Sequence, residues 1–265
     1  MAFYTSNGKP IGEAFVKSIN HRGYGDAPEN TLPAYIKSWE MGFRYVECDV
    51  SFTADNIPVL LHDDTINRTS NGTGAIKDLT FNEVRQLDFG SWKSEEYAGT
   101  KIPSFDEFIK LCRCLNLHPY IEIKESEDIT TEKIADLLVI VRENGMLGNV
   151  TWISFSLDFL NFIKISEPSA RLGYLEWDCV GWIIDNVKTL KTADNEVFLN
   201  VTYPAVTDEK LNYAISEGVP VECFNVNDEA TIINANPYIS GYTTDFVHAG
   251  KVLFENTYGA KAVIK

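Results

Sequence analysis

The chain has 265 residues, a formal net charge of −15 and 45% hydrophobic residues. This length suits one large α/β barrel or two small domains, and the acidic balance argues against a nucleic-acid partner because like charges repel. No apolar run approaches the roughly 18 residues that a membrane helix needs, so we expect no stable membrane insertion.

The N-terminus and the cysteines bear on the compartment. Residues 1–10 contain no basic start followed by an apolar run, so this chain shows no signal peptide, although a trimmed leader would leave no trace. The five cysteines form neither a CxxC pair nor a Cys/His zinc spacing. We therefore expect reduced, core-filling thiols in a cytoplasmic protein.

The first stretch with chemical character follows an apolar run at 15–19. That run predicts a buried strand, which ends in His21 and Arg22. Asparagine and threonine before Pro33 then predict a capped helix over Thr31–Met41. In parallel α/β folds, sites collect at this carboxyl end of the strands. A solvated His-Arg loop is the alternative that this stretch alone leaves open.

A second strand is predicted over Phe43–Ser51. Glu47 and Asp49 are two residues apart on it, so both side chains share one face. Two carboxylates on an otherwise apolar strand must be paired with cations or bound to a metal. A turn at 55–56 predicts a hairpin return along this strand. Counting back from that turn places His62 opposite Asp49.

Residues 64–103 interrupt the rhythm of strands and helices. They predict an insertion above the sheet that covers or lines a site and contains a short helix near residues 80–87. A solvated loop with one amphipathic helix is the alternative. From residue 104 the rhythm resumes, and strand Pro119–Lys124 carries Glu122 and Lys124 on one face. No repeat or Gly/Ser linker marks a second domain. We expect a single domain over residues 1–265, with the insertion at about 64–103.

The strand count decides the predicted fold class. Further strands are predicted at 150–155, 171–175, 197–201, 219–226 and 239–243. If residues 57–61 are only a hairpin return, eight parallel strands are each followed by a helix. That pattern predicts an α/β fold, a TIM (β/α)8 barrel with a small insertion after the hairpin of the second strand. If residues 57–61 join the parallel set, a doubly wound sheet is the alternative.

Three predicted strand ends offer groups that suit one chemistry. They carry three carboxylates, two histidines and two basic residues: Glu47, Asp49, Glu122, His21, His62, Arg22 and Lys124. An oxygen-rich set of ligands suits Mg²⁺ or Ca²⁺ better than zinc. The histidines can divide proton transfers, and the cations suit a phosphoryl oxygen. The pattern predicts metal-assisted attack on a phosphodiester, with a plain ion-pair network as the alternative.

The order of these residues resembles the glycerophosphodiester phosphodiesterases. The matching motifs are His21-Arg22-Gly23, Glu29-Asn30-Thr31, Glu47-Cys48-Asp49-Val50, His62-Asp63, Asn67-Arg68-Thr69, Glu122-Ile123-Lys124 and Thr244-Asp245. The resemblance implies a TIM barrel with a small insertion after the His-Asp motif. It also implies metal-dependent hydrolysis of glycerophosphodiesters to glycerol 3-phosphate and an alcohol such as choline, ethanolamine, glycerol or inositol.

The resemblance further implies a role for each matching residue. It implies one Mg²⁺ or Ca²⁺ on Glu47, Asp49 and Glu122, an acid/base pair of His21 and His62, phosphate contacts from Arg22 and Lys124, and support from Glu29 and Asp63. The family's usual tryptophan on the seventh strand is Phe224 here, which makes Phe224 a possible pocket residue. We expect a cyclic phosphate intermediate with His21 as the first base, and direct attack by water is the alternative.

Two other functions stay open. One is a related phospholipase-type phosphodiesterase that acts on lipid head groups, which should carry an exposed apolar or basic rim. The other is a non-catalytic barrel that binds phosphate esters, which the loss of a ligand or a histidine would favour. The expected partner is a small glycerophosphodiester, while the alcohol, the ion and the oligomeric state stay open.

Overall fold

The structure is a computed structural model, and it describes residues 17–234 and 238–245. The apolar run before residue 17 and the last helix, predicted to start at His248, lie outside the described residues.

The described chain has nine strands and eight α-helices, which alternate regularly from α3 onward. The strands are β1 Lys17–Asn20, β2 Tyr45–Phe52, β3 Pro58–Leu60, β4 His118–Ile123, β5 Thr151–Ser154, β6 Arg171–Glu176, β7 Val197–Thr202, β8 Val221–Phe224 and β9 Gly241–Thr244. The helices are α1 Leu32–Glu40, α2 Phe81–Val84, α3 Phe105–Leu115, α4 Thr131–Glu143, α5 Leu157–Ser166, α6 Gly181–Thr189, α7 Asp208–Ser216 and α8 Glu229–Asn234.

Eight of the strands close into a parallel barrel. Their order is β1-β9-β8-β7-β6-β5-β4-β2, and β1 also pairs with β2, which closes the sheet. β3 lies outside this ring, antiparallel to β2. The predicted TIM barrel is therefore confirmed, and the doubly wound sheet is excluded because the ring has no open edge.

Side chains along each barrel strand alternate between two environments, the apolar core under the helices and the inside of the barrel. In β2, Val46, Cys48 and Val50 face the surrounding helices in the main apolar core. Tyr45, Glu47 and Asp49 occupy the intervening positions and therefore face the inside of the barrel. A separate apolar layer crosses the barrel interior: Ile19, Tyr120, Ile153, Leu175 and Phe198. The site above this layer is thus built from inward-facing strand positions and from residues that directly follow the strands.

The hairpin between β2 and β3 differs from its prediction by one residue. The Thr53 N–H donates to the Ile57 carbonyl at 3.1 Å, so residues 54–56 form a three-residue loop. This odd length places Leu61, not His62, opposite Asp49, with the Leu61 N–H donating to the Asp49 carbonyl at 3.1 Å. The predicted register is wrong, and His62 instead follows the hairpin at the barrel mouth.

Residues 64–103 carry a small apolar cluster of their own. Ile66, Ile76, Val84 and Phe89 pack with residues of the hairpin, so the segment rests on β3. Its helix α2 is shorter than the predicted 80–87, and Thr80 begins it with a reciprocal cap to the residue three positions on.

Among the helices of the described residues, none is both long and apolar enough to cross a membrane.

Candidate active site

A cavity of about 420 Å³ opens at the carboxyl ends of the barrel strands. Seven of the predicted site residues line it: His21, Arg22, Glu47, His62, Glu122, Lys124 and Phe224. Asp49 lies just behind the wall with 1% of its surface exposed. Strands that are far apart in sequence thus bring the predicted groups together at one mouth.

Three carboxylates form the acidic side of this cavity. Glu47, Asp49 and Glu122 each offer a ligand oxygen, and these oxygens lie within 4.8 Å of one another. Among the residues that the structure describes, the buried Glu47 Oε1 has no hydrogen-bond partner. A buried carboxylate oxygen without a partner is costly, and a hard divalent cation is the ligand that such a set of oxygens suits. The residues therefore fit a metal ion.

The two carboxylates of β2 have opposite electrostatic settings. Burial, followed by the neighbouring Asp49 charge, raises the pKa of Glu47 above its usual range. Burial also acts to raise the pKa of Asp49, but the charges of Lys124 and Arg22 outweigh it and hold that pKa well below its usual range. Asp49 therefore stays ionised, and a bound cation would favour the ionised form of Glu47 in the same way.

Asp49 is held by three donors and ion-pair partners. Lys124 Nζ lies 2.8 Å from Asp49 Oδ1, and Arg22 Nε lies 3.2 Å from Asp49 Oδ2. The Asn30 side-chain amide donates to Asp49 Oδ2 at 2.8 Å, and the Tyr35 hydroxyl donates to Asn30 Oδ1 at 2.9 Å. Sequence reasoning assigned Asn30 to a helix cap, which is wrong because its side chain orients this carboxylate.

Helix α1 consequently starts without a side-chain cap. Thr31 precedes it, and within the described chain its hydroxyl bonds the Pro28 carbonyl and no N–H of the helix. Asn30 has a φ of 56°, a left-handed conformation that asparagine tolerates better than most residues. The start of α1 is thus shaped by the site more than by the needs of the helix.

Arg22 stands at the turn that follows β1. Its φ of 53° is rare for a residue with a side chain, and it directs the backbone N–H to Glu47 Oε2 at 2.9 Å. Gly23 follows, where an added Cβ would lie 2.7 Å from the Ala34 Cβ. The turn therefore needs glycine at position 23 and places a cation against the carboxylates.

His21 is bonded to a residue that sequence reasoning did not select. Its Nδ1 lies 2.8 Å from Asp245 Oδ1, at the end of the neighbouring strand β9. Asn227 donates to the other oxygen of Asp245 at 3.0 Å. Burial lowers the pKa of His21, but the Asp245 bond and the Glu47 charge outweigh it, so the pKa is raised. The motif Thr244-Asp245 was a signal, but only strand pairing shows its partner.

His62 belongs to a chain of charged contacts that ends at Arg22. His62 Nδ1 lies 2.7 Å from Asp63 Oδ1, and Arg68 Nε donates to Asp63 Oδ2 at 2.7 Å. Arg68 also donates to both oxygens of Glu29, at 2.6 and 2.8 Å, and Arg22 Nη1 donates to Glu29 at 3.0 Å. The Arg68 hydrogen bond is the main reason that the pKa of Asp63 falls to about 2. Sequence reasoning missed Arg68, although its motif was recognised.

Three aromatic rings form the wall away from Arg22. Phe155 and Trp177 stack with centroids 5.4 Å apart, and Phe224 meets Trp177 edge-on at 5.4 Å. All three line the cavity. Of these, only Phe224 was predicted, because Phe155 and Trp177 come from the ends of two other strands whose meeting depends on the barrel. We call these three residues the aromatic wall.

Comparisons with known proteins agree with this geometry. A glycerophosphodiester phosphodiesterase from Caldanaerobacter subterraneus is 34% identical over 158 residues, which are 59% of this chain and 65% of that protein. Glycerophosphodiester phosphodiesterase 1 from Rattus norvegicus is 38% identical over 125 residues, 46% of this chain and 38% of the rat protein. The chain thus spans less than two thirds of the length of these relatives.

Solved structures match over most of the chain. A phosphodiesterase from Oleispira antarctica, in complex with the product sn-glycerol-3-phosphate, superposes with a TM-score of 0.82 at 26% identity, over 91% of this chain and 97% of that one. A putative glycerophosphoryl diester phosphodiesterase from Silicibacter pomeroyi shares the fold, with a TM-score of 0.80 at 22% identity over 92% and 95% of the two chains. The model of the glycerophosphoryl diester phosphodiesterase family matches residues 21–249, so the chain belongs to that family.

Proposed function

We propose that the protein hydrolyses glycerophosphodiesters to glycerol 3-phosphate and an alcohol, with one bound divalent ion, Mg²⁺ or Ca²⁺. The observation that carries this proposal is one cavity in which two histidines, each bonded to a carboxylate, lie beside three clustered carboxylates and two cations. Membership of the family and the product bound by the Oleispira antarctica relative support it.

Glu47, Asp49 and Glu122 would hold the ion. When bound, it supplies positive charge at a phosphoryl oxygen and lowers the pKa of a neighbouring hydroxyl. Arg22 and Lys124 add positive charge beside the same oxygens, which favours a phosphate over a neutral ester. Glu29 holds Arg22 Nη1 and so limits the directions in which this guanidinium can point.

Each histidine contacts a carboxylate through one ring nitrogen, which leaves the other nitrogen for proton exchange. A carboxylate only accepts, so Nδ1 of His21 carries the proton shared with Asp245, and Nδ1 of His62 carries the proton shared with Asp63. Nε2 of each ring is then the exchanging atom. Arg22 Nε donates to His21 Nε2 at 3.1 Å, so Arg22 must turn to the phosphate before His21 accepts a proton.

The proposed reaction has two steps with exchanged roles. His21 takes the proton of the substrate's own glycerol hydroxyl, whose oxygen attacks phosphorus, while the P–O bond to the alcohol breaks. His62 protonates the departing alcohol oxygen, and a cyclic phosphate remains. Water then opens the ring: His62 accepts the proton of the water, and His21 returns its proton to the ring oxygen.

An assay that detects glycerol 3-phosphate from glycerophosphocholine tests the function. We expect turnover that EDTA abolishes and that Mg²⁺ or Ca²⁺ restores. Activity that EDTA does not reduce would contradict a role for the metal. Binding of the substrate without turnover would favour a non-catalytic barrel. Phosphorus NMR during turnover tests for the cyclic phosphate, and its absence would favour direct attack by water.

The histidine roles have their own test. We expect His21→Ala and His62→Ala each to lower kcat on the order of 10²-fold or more, with the fold retained, because each removes a general acid or base. His118→Gln is the matched control, since His118 bonds Thr151 at the opposite end of the barrel. An undiminished kcat in both alanine variants would contradict the acid/base roles of the two histidines.

A further inference from the structure

We propose that the aromatic wall selects a glycerophosphodiester whose alcohol carries a quaternary ammonium group. This inference rests on the proposed function, because it concerns the alcohol end of the same substrate. It is carried by the exposed surface of the rings, by the absence of a lysine or arginine over them within the described residues, and by the basic residues across the cavity.

The aromatic wall presents ring surface to solvent. Trp177 is 63% exposed, although its ring packs against both Phe155 and Phe224. An exposed tryptophan held in place by two other rings is a rigid platform with little conformational freedom left to lose. Tryptophan is also the aromatic side chain that attracts a cation most strongly.

The three rings are also free of internal cations. Elsewhere in the barrel, the Arg171 guanidinium lies over the Phe198 ring at 4.6 Å and over the Tyr120 ring at 5.5 Å. Within the described residues, no lysine or arginine lies over Phe155, Trp177 or Phe224. The attraction of these ring faces for positive charge is therefore available to a ligand.

One further carboxylate shares the cavity with the rings. Glu125 lines it, and Glu176, next to Trp177, accepts the backbone N–H of Trp177 at 3.4 Å. Glu125 therefore adds negative charge to the same lining as the rings.

The two ends of the cavity consequently match the two charges of a zwitterion. Arg22 and Lys124 lie on the side of the clustered carboxylates, where the phosphate is proposed to bind. The rings lie at the ends of β5, β6 and β8, on the side of the barrel away from β1 and β2. A quaternary ammonium cannot donate hydrogen bonds and spreads its charge over methyl groups, so ring faces suit it better than polar groups do.

The test compares two esters of one shape. Glycerophosphocholine and its neutral analogue with a 3,3-dimethylbutyl alcohol differ only in nitrogen against carbon. We expect the charged ester to have a kcat/KM about 3- to 30-fold higher, the range that one cation–π contact supplies. Equal values for the two esters would overturn the inference.

Variants of the wall locate the selectivity. Trp177→Leu should bring the ratio of the two kcat/KM values close to one, whereas Trp177→Phe should keep most of it because a ring remains. Trp182→Leu is the matched control, since Trp182 is 61% exposed on α6 and does not line the cavity. A ratio that survives Trp177→Leu would contradict the role of the ring.

Binding separates this inference from the proposed function. Calorimetric titration with phosphocholine and with 3,3-dimethylbutyl phosphate needs no turnover, and we expect the same preference there. If no ester is hydrolysed, the proposed function fails while the binding ratio still decides the inference. Equal use of glycerophosphoethanolamine, unaffected by Trp177→Leu, would assign recognition to the carboxylates and overturn the quaternary preference.

Discussion

His21 and His62 each bond a carboxylate through Nδ1, but the two carboxylates are anchored differently. Asp245 comes from the neighbouring strand β9 and is held by Asn227. Asp63 is the next residue in the chain and is held by Arg68, which lies in the segment 64–103. Different parts of the fold therefore anchor the two Nδ1 atoms, while Arg68, Glu29 and Arg22 connect the Asp63 anchor to Nε2 of His21.

At the residue scale, Asp245→Asn tests what sets the pKa of His21. The amide can still accept from Nδ1, but the negative charge is lost, so burial dominates and the pKa of His21 should fall. His21 acts as a base only when Nε2 is deprotonated. The acid limb of the kcat/KM profile should therefore move to lower pH, with a rate roughly tenfold lower or more. Asp194→Asn, an exposed carboxylate outside the cavity, is the control, and an unmoved limb would contradict the role of Asp245.

At the scale of elements, the segment 64–103 is connected to the barrel in two different ways. Its apolar residues pack on the hairpin, and Arg85 bonds Glu107 of α3, which are contacts of ordinary packing. Arg68 instead bridges Glu29 and Asp63 at the cavity mouth. The segment therefore contributes to the site through one side chain that is itself 45% exposed.

Arg68→Ala should separate activity from stability. Exposed ion pairs are worth about 1 kcal/mol or less, so the free energy of unfolding should change little. Asp63 and Glu29 lose their common partner, so His62 and Arg22 become less ordered and kcat/KM should fall about tenfold. Urea unfolding and steady-state kinetics measure the two effects.

Arg85→Ala, in the same segment, is the control. It should change the free energy of unfolding by a similarly small amount and leave kcat/KM unchanged. Equal kinetic effects of the Arg68 and Arg85 variants would contradict the role of Arg68 as a bridge.

At the scale of the whole molecule, the barrel carries charge at both ends and an apolar layer between them. At the amino ends of the strands, Arg171 donates to Glu222 at 2.8 Å and to the Tyr120 hydroxyl at 2.6 Å, and Lys17 reaches Glu222 at 3.3 Å. A Cβ at Gly241 would lie 2.9 Å from the Glu222 carboxyl carbon, so glycine there makes room for the buried carboxylate. This network closes the bottom of the barrel, while the reactive groups occupy its mouth.

Removing Arg171 alone should therefore lower the free energy of unfolding more than removing both Arg171 and Glu222. Arg171→Met leaves Glu222 buried without its main partner and should lower the free energy of unfolding by about 3–5 kcal/mol. The double variant Arg171→Met/Glu222→Leu should recover most of that loss, because no buried charge is left unpaired. Urea unfolding of the two single variants and the double variant measures the coupling, and purely additive losses would contradict it.

The amino-acid sequence by itself determined the local features, because these depend on spacing along one segment. Alternation along β2 placed Glu47 and Asp49 on one face, and the order of strands and helices indicated eight βα units. Proline, glycine and turn residues marked the segment boundaries to within a few positions, as the shorter helix α2 illustrates. The main groups of the site were visible for the same reason, since each stands on a predicted strand or just after one.

Only the tertiary structure decided which of these groups meet. The bond from His21 to Asp245 joins residues 224 positions apart and exists because the barrel closes between β1 and β9. The bridge through Arg68, the use of Asn30 to hold Asp49 and the aromatic wall likewise depend on contacts between separate segments. Spacing along the chain repeats every two or 3.6 residues and carries no record of such closure, whereas packing of the complete barrel fixes every one of these distances.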